Sequence, residues 1–295
     1  MSEVLVIDIG GSKTQVCLVS GDTFSKINIL ESKIFPTDSN PEHMIQHILS
    51  FCENKKINDI SLSLPGKWKE GKLIESNFLK DWLNYPFISN LSKNLNVQNI
   101  IWETDVICGG LGEYYSLAET HGNASLLYIN LGTGVGASFI QDGKLFKSNS
   151  KLTLRLQKLF FPHGDVLYPA CELISGGTLT SFADFNSIEQ LFSAYKKGNI
   201  EAIDLISKAQ TQLSCHLINL FYLFAPDVII LNGGLTYDWD VLAEEAVDIA
   251  KEELQDEVEI LPGKLKEMAP IYGAFVNLKA GLINPAFKNP IFIPK

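Results

Sequence analysis

Four short stretches of this chain carry residue types that can do chemistry. The first is Asp8-Ile9-Gly10-Gly11-Ser12-Lys13-Thr14, which closes the apolar run that begins at Val4. Glycines let a backbone approach a bulky anion, and successive N–H groups with a nearby hydroxyl can cradle phosphate oxygens. An aspartate at the end of the strand, Asp8, can hold Mg2+ directly or through water. The same residues also suit a plain hairpin turn with a capping aspartate. The second stretch, Leu131-Gly132-Thr133-Gly134-Val135-Gly136, is of the same kind and again lies between two strand-like runs. It too reads as a phosphate clamp or as a structural turn. The third, Asn232-Gly233-Gly234, follows a buried strand and precedes a helix. It can pack beneath a base or ribose, or simply turn the corner. The fourth is Asp105, where the strand Asn99–Glu103 runs into a helix. Aspartate is a favoured helix N-cap. A carboxylate there is also kept ionised by the helix N-terminus, and can orient a hydroxyl and take its proton during phosphoryl transfer. P-loop and dinucleotide signatures are absent, so any nucleotide is held by another scheme.

The elements that must position these residues follow from period and punctuation. Val4–Ile9 and Gln15–Ser20 read as strands, Thr23–Ile34 as one or two more, Glu42–Asn54 as a helix after the Asn40–Pro41 break, and Asp59–Leu64 as a strand. Gly71–Ile74 suits a short strand, and Asp105–Leu117 a helix. The pattern then restarts with Ser125–Leu131, Ala137–Gln141 and, after the Asp142–Gly143 turn, Lys144–Phe146. Glu201–Phe224 is the longest helical signal, with Ile203, Ile206, Leu213, Leu217, Leu220, Phe221 and Phe224 at steps of three and four. Val228–Leu231, Val241–Leu254, Val258–Leu261 and Pro270–Gly281 read as strand, helix, strand and helix, and an extended tail follows from Asn284. Strand, glycine turn, strand thus occurs twice, at Val4–Ser20 and Leu126–Ile140. Such an antiparallel start differs from the strand-to-helix start of a dinucleotide fold. It implies an internal duplication of a mixed α/β unit with a boundary near residues 116–124.

Composition removes several classes. The 295 residues suit about two domains. Net charge is −10, and one arginine, Arg155, accompanies 23 lysines with no basic cluster, which argues against nucleic acid as a partner. No run approaches the roughly 18 apolar residues of a membrane span, and the opening MSEVLVIDIGG is unlike a signal peptide. Five scattered cysteines point to reduced thiols and a cytoplasmic location.

In this order and spacing, the four stretches resemble the ROK family of sugar kinases (repressor, open reading frame, kinase), part of the actin, Hsp70 and hexokinase superfamily. IDIGGSKT resembles the family's first phosphate motif, and NLGTGVGASFIQDGKL the second. LPGKWKEGKLIESNFLKDW, residues 64–82, is similar to its Pro-Gly…Asn…Trp segment, which singles out Asn77. ETDVICGGLGE, residues 103–113, resembles its catalytic segment, with Asp105 on the general base. APDVIILNGGL and IYGAFVNL resemble the adenosine motif and the last helix. The resemblance implies an α/β fold of two ribonuclease-H-like, actin-like ATPase domains with a cleft between them. It implies domains at 1–118, completed by a C-terminal helix at about 271–283, and at 119–270. It implies ATP-dependent phosphorylation of a hexose, amino sugar or N-acetyl sugar, and a homodimer. Gly10, Gly11, Ser12, Lys13, Thr14, Gly132, Thr133, Gly134 and Gly136 would meet phosphates, Gly233 and Gly234 adenosine, and Asp8 Mg2+ through water.

Departures from the family pattern fall on the sugar side. Thr104 stands where the family places Asn. The Glu-x-Gly-His segment is missing, with Lys151 and Leu154 at its two key places. His163 and Glu172 are the remaining candidates for sugar contacts. Lys151 offers a cation in place of an anion, so an acidic acceptor, a non-sugar acceptor and a silent binding protein are the alternatives. The family's Cys-x-Cys-Gly-x-x-Gly-Cys zinc run is absent, with only Cys171 and His163 nearby, so no structural zinc is expected. No helix-turn-helix segment precedes Val4, so the repressor branch is not expected either.

Overall fold

The computed structural model describes residues 3–21, 26–97, 99–146, 154–163, 166–169, 174–182, 185–255 and 257–283. The chain forms two compact units. The stretch ending at Ser116 joins the stretch beginning at Met268, and Leu117–Glu267 forms the other.

The first unit runs β1 (Val4–Ile9), β2 (Lys13–Ser20), β3 (Asn28–Pro36), α1 (Pro41–Phe51), β4 (Asp59–Leu64), the small ribbon β5 (Lys67–Lys69) and β6 (Lys72–Glu75), α2 (Phe87–Leu95), β7 (Asn99–Thr104) and α3 (Asp105–His121), whose last turns pass into the second unit. Its sheet has the order β3-β2-β1-β4-β7. The two hairpin pairs are antiparallel, and β1-β4 and β4-β7 are parallel. Side chains alternate between faces along a strand. Leu5, Ile7, Ile9, Ile60, Leu62 and Leu64 meet Met44, Ile45 and Ile48 of α1 and Phe87 and Leu91 of α2 in one core layer. Val4, Val6 and Cys17 meet Cys108 of α3 in the other. By the same alternation Asp8, Ser61 and Ser63 share that second face.

The second unit runs β8 (Leu126–Leu131), β9 (Val135–Gln141), β10 (Lys144–Leu145), the ribbon β11 (Phe160–His163) and β12 (Val166–Pro169), the one-turn α4 (Gly176–Leu179), α5 (Ile188–Lys196), α6 (Ile200–Phe224), β13 (Val228–Asn232), α7 (Trp239–Leu254) and β14 (Glu259–Pro262). Its sheet, β10-β9-β8-β13-β14, repeats the first in order and strand sense. This is the duplicated α/β unit that the two glycine hairpins imply. The last helix, α8 (Ala269–Ile283), returns to the first sheet. Ile271, Ala274, Phe275 and Leu278 pack there beside Val4, Val6 and Cys108, and the Ser61 hydroxyl donates to the Ala274 carbonyl at 2.6 Å.

Several elements differ from the periodicity reading. Asn40–Pro41 is the start of α1 itself. Asn40 caps it by accepting the Glu42 N–H, and Pro41 supplies a helical φ where no donor is needed. The helices α2 and α5 and the ribbon β11–β12 have no counterpart in that reading. In α2 a Ser- and Asn-rich segment is helical because Phe87, Ile88 and Leu91 are buried on one side. Ile203, expected in the buried stripe of α6, is 40% exposed, and Ala202, Leu205, Ile206 and Ala209 make the inner face. The expected extended tail lies outside the described residues. No described helix is long and apolar enough to cross a membrane. The described cysteines, Cys17, Cys52, Cys108 and Cys215, are free thiols.

Candidate active site

In the first unit, Gly10, Gly11 and Ser12 join β1 to β2, and the loop closes through the Gly10 N–H to the Lys13 carbonyl at 2.8 Å. Thr37, just past β3, braces it. Its hydroxyl donates to the Gly10 carbonyl (2.9 Å) and its N–H to the Ser12 carbonyl (3.0 Å). Thr14 is fully buried and its hydroxyl lies 2.9 Å from that of Thr37. With the Thr37 proton directed at Gly10, Thr14 is the donor of that bond, so its hydroxyl holds the loop from behind. Gly11, Ser12 and Lys13 are exposed. A Cβ at Gly11 would stand 3.0 Å from the side chain of the exposed Phe78, which would have to shift by a few tenths of an ångström. Asn77, next to Phe78, is exposed.

Two carboxyls lie on the same face of this sheet. Asp8 closes β1 and accepts the Ser63 hydroxyl at 2.5 Å. Asp105 opens α3 and accepts the Val106 N–H at 2.9 Å. Burial of the Asp8 carboxyl raises its pKa to about 7; the Ser63 bond opposes this, the Asp105 charge adds to it, and Lys13 opposes it. Burial likewise raises Asp105 to about 6, against the backbone N–H bonds it accepts. Both residues are partly exposed as wholes, so their carboxyl groups are enclosed without being sealed off. In the residue before Asp105, the Thr104 hydroxyl is buried with no hydrogen-bond partner among the described residues; Thr104 pairs with Leu64, whose side chain lies in the α1 and α2 core layer. A buried polar atom without a partner is costly.

In the second unit, Gly132, Thr133 and Gly134 make the equivalent turn, closed by the Gly132 N–H to the Gly134 carbonyl at 2.9 Å. Gly176 and Gly177, opening α4, hold it by donating to the carbonyls of Gly132 (2.8 Å) and Thr133 (3.0 Å). A Cβ at Gly177 would lie 2.7 Å from the Thr133 carbonyl. Gly134 has open space where a Cβ would be. Gly136 is inside β9, opposite Asn130. Gly233 has φ +101°, and a Cβ there would meet the Leu131 carbonyl at 2.5 Å. Asn232 fixes this corner by donating to the Tyr128 hydroxyl (3.1 Å) and the Lys266 carbonyl (3.0 Å) and accepting the Gly233 N–H (2.8 Å). Gly234 is exposed at the start of a short 3-10 turn.

His163 lies in β11 opposite Val166. Leu154 packs against the core of the second unit. Lys151 and Glu172 lie outside the described residues, as does Cys171. Among the described residues, no group of three or more His, Cys, Asp or Glu could hold a metal ion. The braces Thr37, Ser63, Gly176 and Gly177 have no motif that announces them; the alternation in Ile60-Ser61-Leu62-Ser63 is the available signal.

Two sheets of this order, each with a glycine hairpin between its first two strands, define the actin-like ATPase fold. The family model for the ROK family matches residues 4–150 and 182–280, and the chain belongs to that family. It is similar to an N-acetyl-D-glucosamine kinase of Vibrio parahaemolyticus, 25% identical over 81% of this chain and 86% of the relative. The crystal structure of a ROK hexokinase from Thermus thermophilus matches with a TM-score of 0.75 at 20% identity, covering 95% of this chain and 100% of that one. A ROK glucokinase from Streptomyces griseus, in complex with glucose and AMPPNP, matches with a TM-score of 0.71 at 18% identity, covering 92% and 98%.

Proposed function

We propose that this chain transfers the terminal phosphoryl group of ATP to a hydroxyl of a small sugar, with Asp105 as general base. The observation that carries the reading is the enclosed carboxyl pair Asp8 and Asp105, with the glycine turn between β1 and β2 following directly on Asp8. Asp105 takes the proton of the acceptor hydroxyl as the new O–P bond forms. Thr104, Asn77, Glu172, His163 and Lys151 are the candidates for acceptor contacts. The exposed loop Gly10–Lys13, with Thr14 behind it, takes phosphate oxygens, as do Gly132, Thr133, Gly134 and Gly136. Gly233 and Gly234 flank the adenosine.

Asp8 fits Mg2+. It is a single hard oxygen donor on an enclosed acidic face, and Mg2+ commonly keeps its water while using one or two carboxylates and the phosphates of its nucleotide. When bound, the ion offsets phosphate charge. The relatives named as kinases of glucose and N-acetylglucosamine support a sugar as acceptor.

The test is ADP release over a panel of sugars, amino sugars, N-acetyl sugars and sugar acids, with the wild type and Asp105→Asn. Turnover on at least one acceptor, lost in the variant, is the expected result. Nucleotide binding without turnover on any acceptor would make the chain a silent binding protein.

A further inference from the structure

Strand β4, beside the central β1, reads Ile60-Ser61-Leu62-Ser63-Leu64, and every one of these residues is buried. Its apolar residues face α1 and α2, and its two serines face the other way. Buried hydroxyls need partners, and these two find different ones. Ser61 is spent on the fold: it donates to the Ala274 carbonyl and ties α8 to the sheet. Ser63 stands opposite Asp8 in the parallel β1-β4 register and donates to Asp8 Oδ1 at 2.5 Å. Cys108, from α3, neighbours Ser63 and is the other group on which that proton could be spent. It is fully buried, and burial first, then the charges of Glu103, Asp8 and Asp105, push its thiol well above the usual range. A neutral thiol is a weak acceptor, so the proton goes to the carboxylate.

We propose that Ser63 is a positioning residue: by engaging Oδ1 from within the sheet it fixes the Asp8 side chain and leaves Oδ2 to face the hydration shell of the nucleotide-bound cation. This rests on the reading of Asp8 as the metal-facing carboxylate. A carboxylate whose rotation is stopped by one buried hydrogen bond presents its other oxygen at a lower entropic cost. Partners of this kind commonly change metal affinity by about tenfold or more.

Mn2+ is the probe, followed by its free-ion electron paramagnetic resonance signal during titration of the full chain with AMPPNP. The variants are Ser63→Ala, Ser63→Thr and, as a control with an equally buried hydroxyl, Ser61→Ala. Thermal unfolding and metal-free AMPPNP affinity are measured alongside. The expected result is an approximately tenfold loss of Mn2+ affinity in Ser63→Ala, recovery in Ser63→Thr and an unchanged value in Ser61→Ala. Metal-free AMPPNP affinity stays the same in all. Wild-type Mn2+ affinity in Ser63→Ala overturns the inference while leaving Asp8 its role. Equal losses in Ser63→Ala and Ser61→Ala overturn it as well, because the effect is then packing. If the wild type takes up no Mn2+ with AMPPNP, the metal role of Asp8 falls first and the positioning role with it.

Discussion

Asp105 can act as a base only when ionised, and burial puts its pKa at about 6. The acid limb of kcat/KM should therefore rise through about pH 6, roughly two units above an ordinary aspartate. Asp8 titrates nearby, so the limb belongs to the pair and not to one residue. The same shift has a stability consequence. A carboxyl whose folded pKa exceeds its unfolded value of 3.8 binds its proton more tightly when folded. Its contribution is complete below that value and is lost as pH rises through about 6. The ligand-free protein should lose thermal stability between about pH 4 and 7, and Asp105→Asn should flatten that slope. The same variant keeps size and helix capping but cannot take a proton, so phosphoryl transfer should fall by about 10²-fold or more with nucleotide affinity nearly intact. Near wild-type turnover on a confirmed acceptor would remove Asp105 from the base role.

At the scale of elements, the glycines separate into those the fold needs and those a ligand would need. Gly273 of α8 lies against the Cys108 carbonyl of α3, and a Cβ there would overlap it. Gly273→Ala should cost about 1–3 kcal/mol in chemical unfolding. Gly134 has no neighbour within 4 Å of the point where a Cβ would stand, and no left-handed φ. Gly134→Ala should leave the melting temperature almost unchanged yet weaken nucleotide binding, read by calorimetry with AMPPNP. Unchanged affinity would make this hairpin a structural turn. Strands β1, β8 and β13 are legible because their apolar runs end at glycine turns, and α6 and α7 because their spacing is helical over many turns. The helices α2 and α5 are short, and tertiary burial decides them more than propensity does. Of the braces, only the serine alternation of β4 gives any signal. Ser63 meets Asp8 across 55 residues, and Thr37 meets Gly10 across 27. Register between distant strands creates both contacts, and no local pattern encodes register.

Acceptor choice belongs to the scale of the whole chain, because the candidates that the family resemblance names are spread along its sequence. Buried polar groups discriminate sugars strongly, since a missing partner leaves a hydroxyl or carbonyl unpaired. In the first unit, Thr104 offers one hydroxyl where the family's Asn offers both a donor and an acceptor. In the second, Leu154 packs into the apolar core and has no hydrogen-bonding group to give a sugar. The family resemblance also sets a lysine, Lys151, at the place of a glutamate, in a stretch that the family model leaves unmatched. On the proposed function, each change would remove or invert a polar contact to the acceptor. Glucose should therefore be a poor substrate or none, and sugars carrying an acidic or acylated substituent should be preferred. Steady-state kinetics on glucose, N-acetyl sugars and sugar acids decide this. Efficient glucose turnover with KM in the ordinary range of about 1 μM to 1 mM would refute it. Preference for a sugar acid, abolished by Lys151→Met, would locate the selection at that lysine.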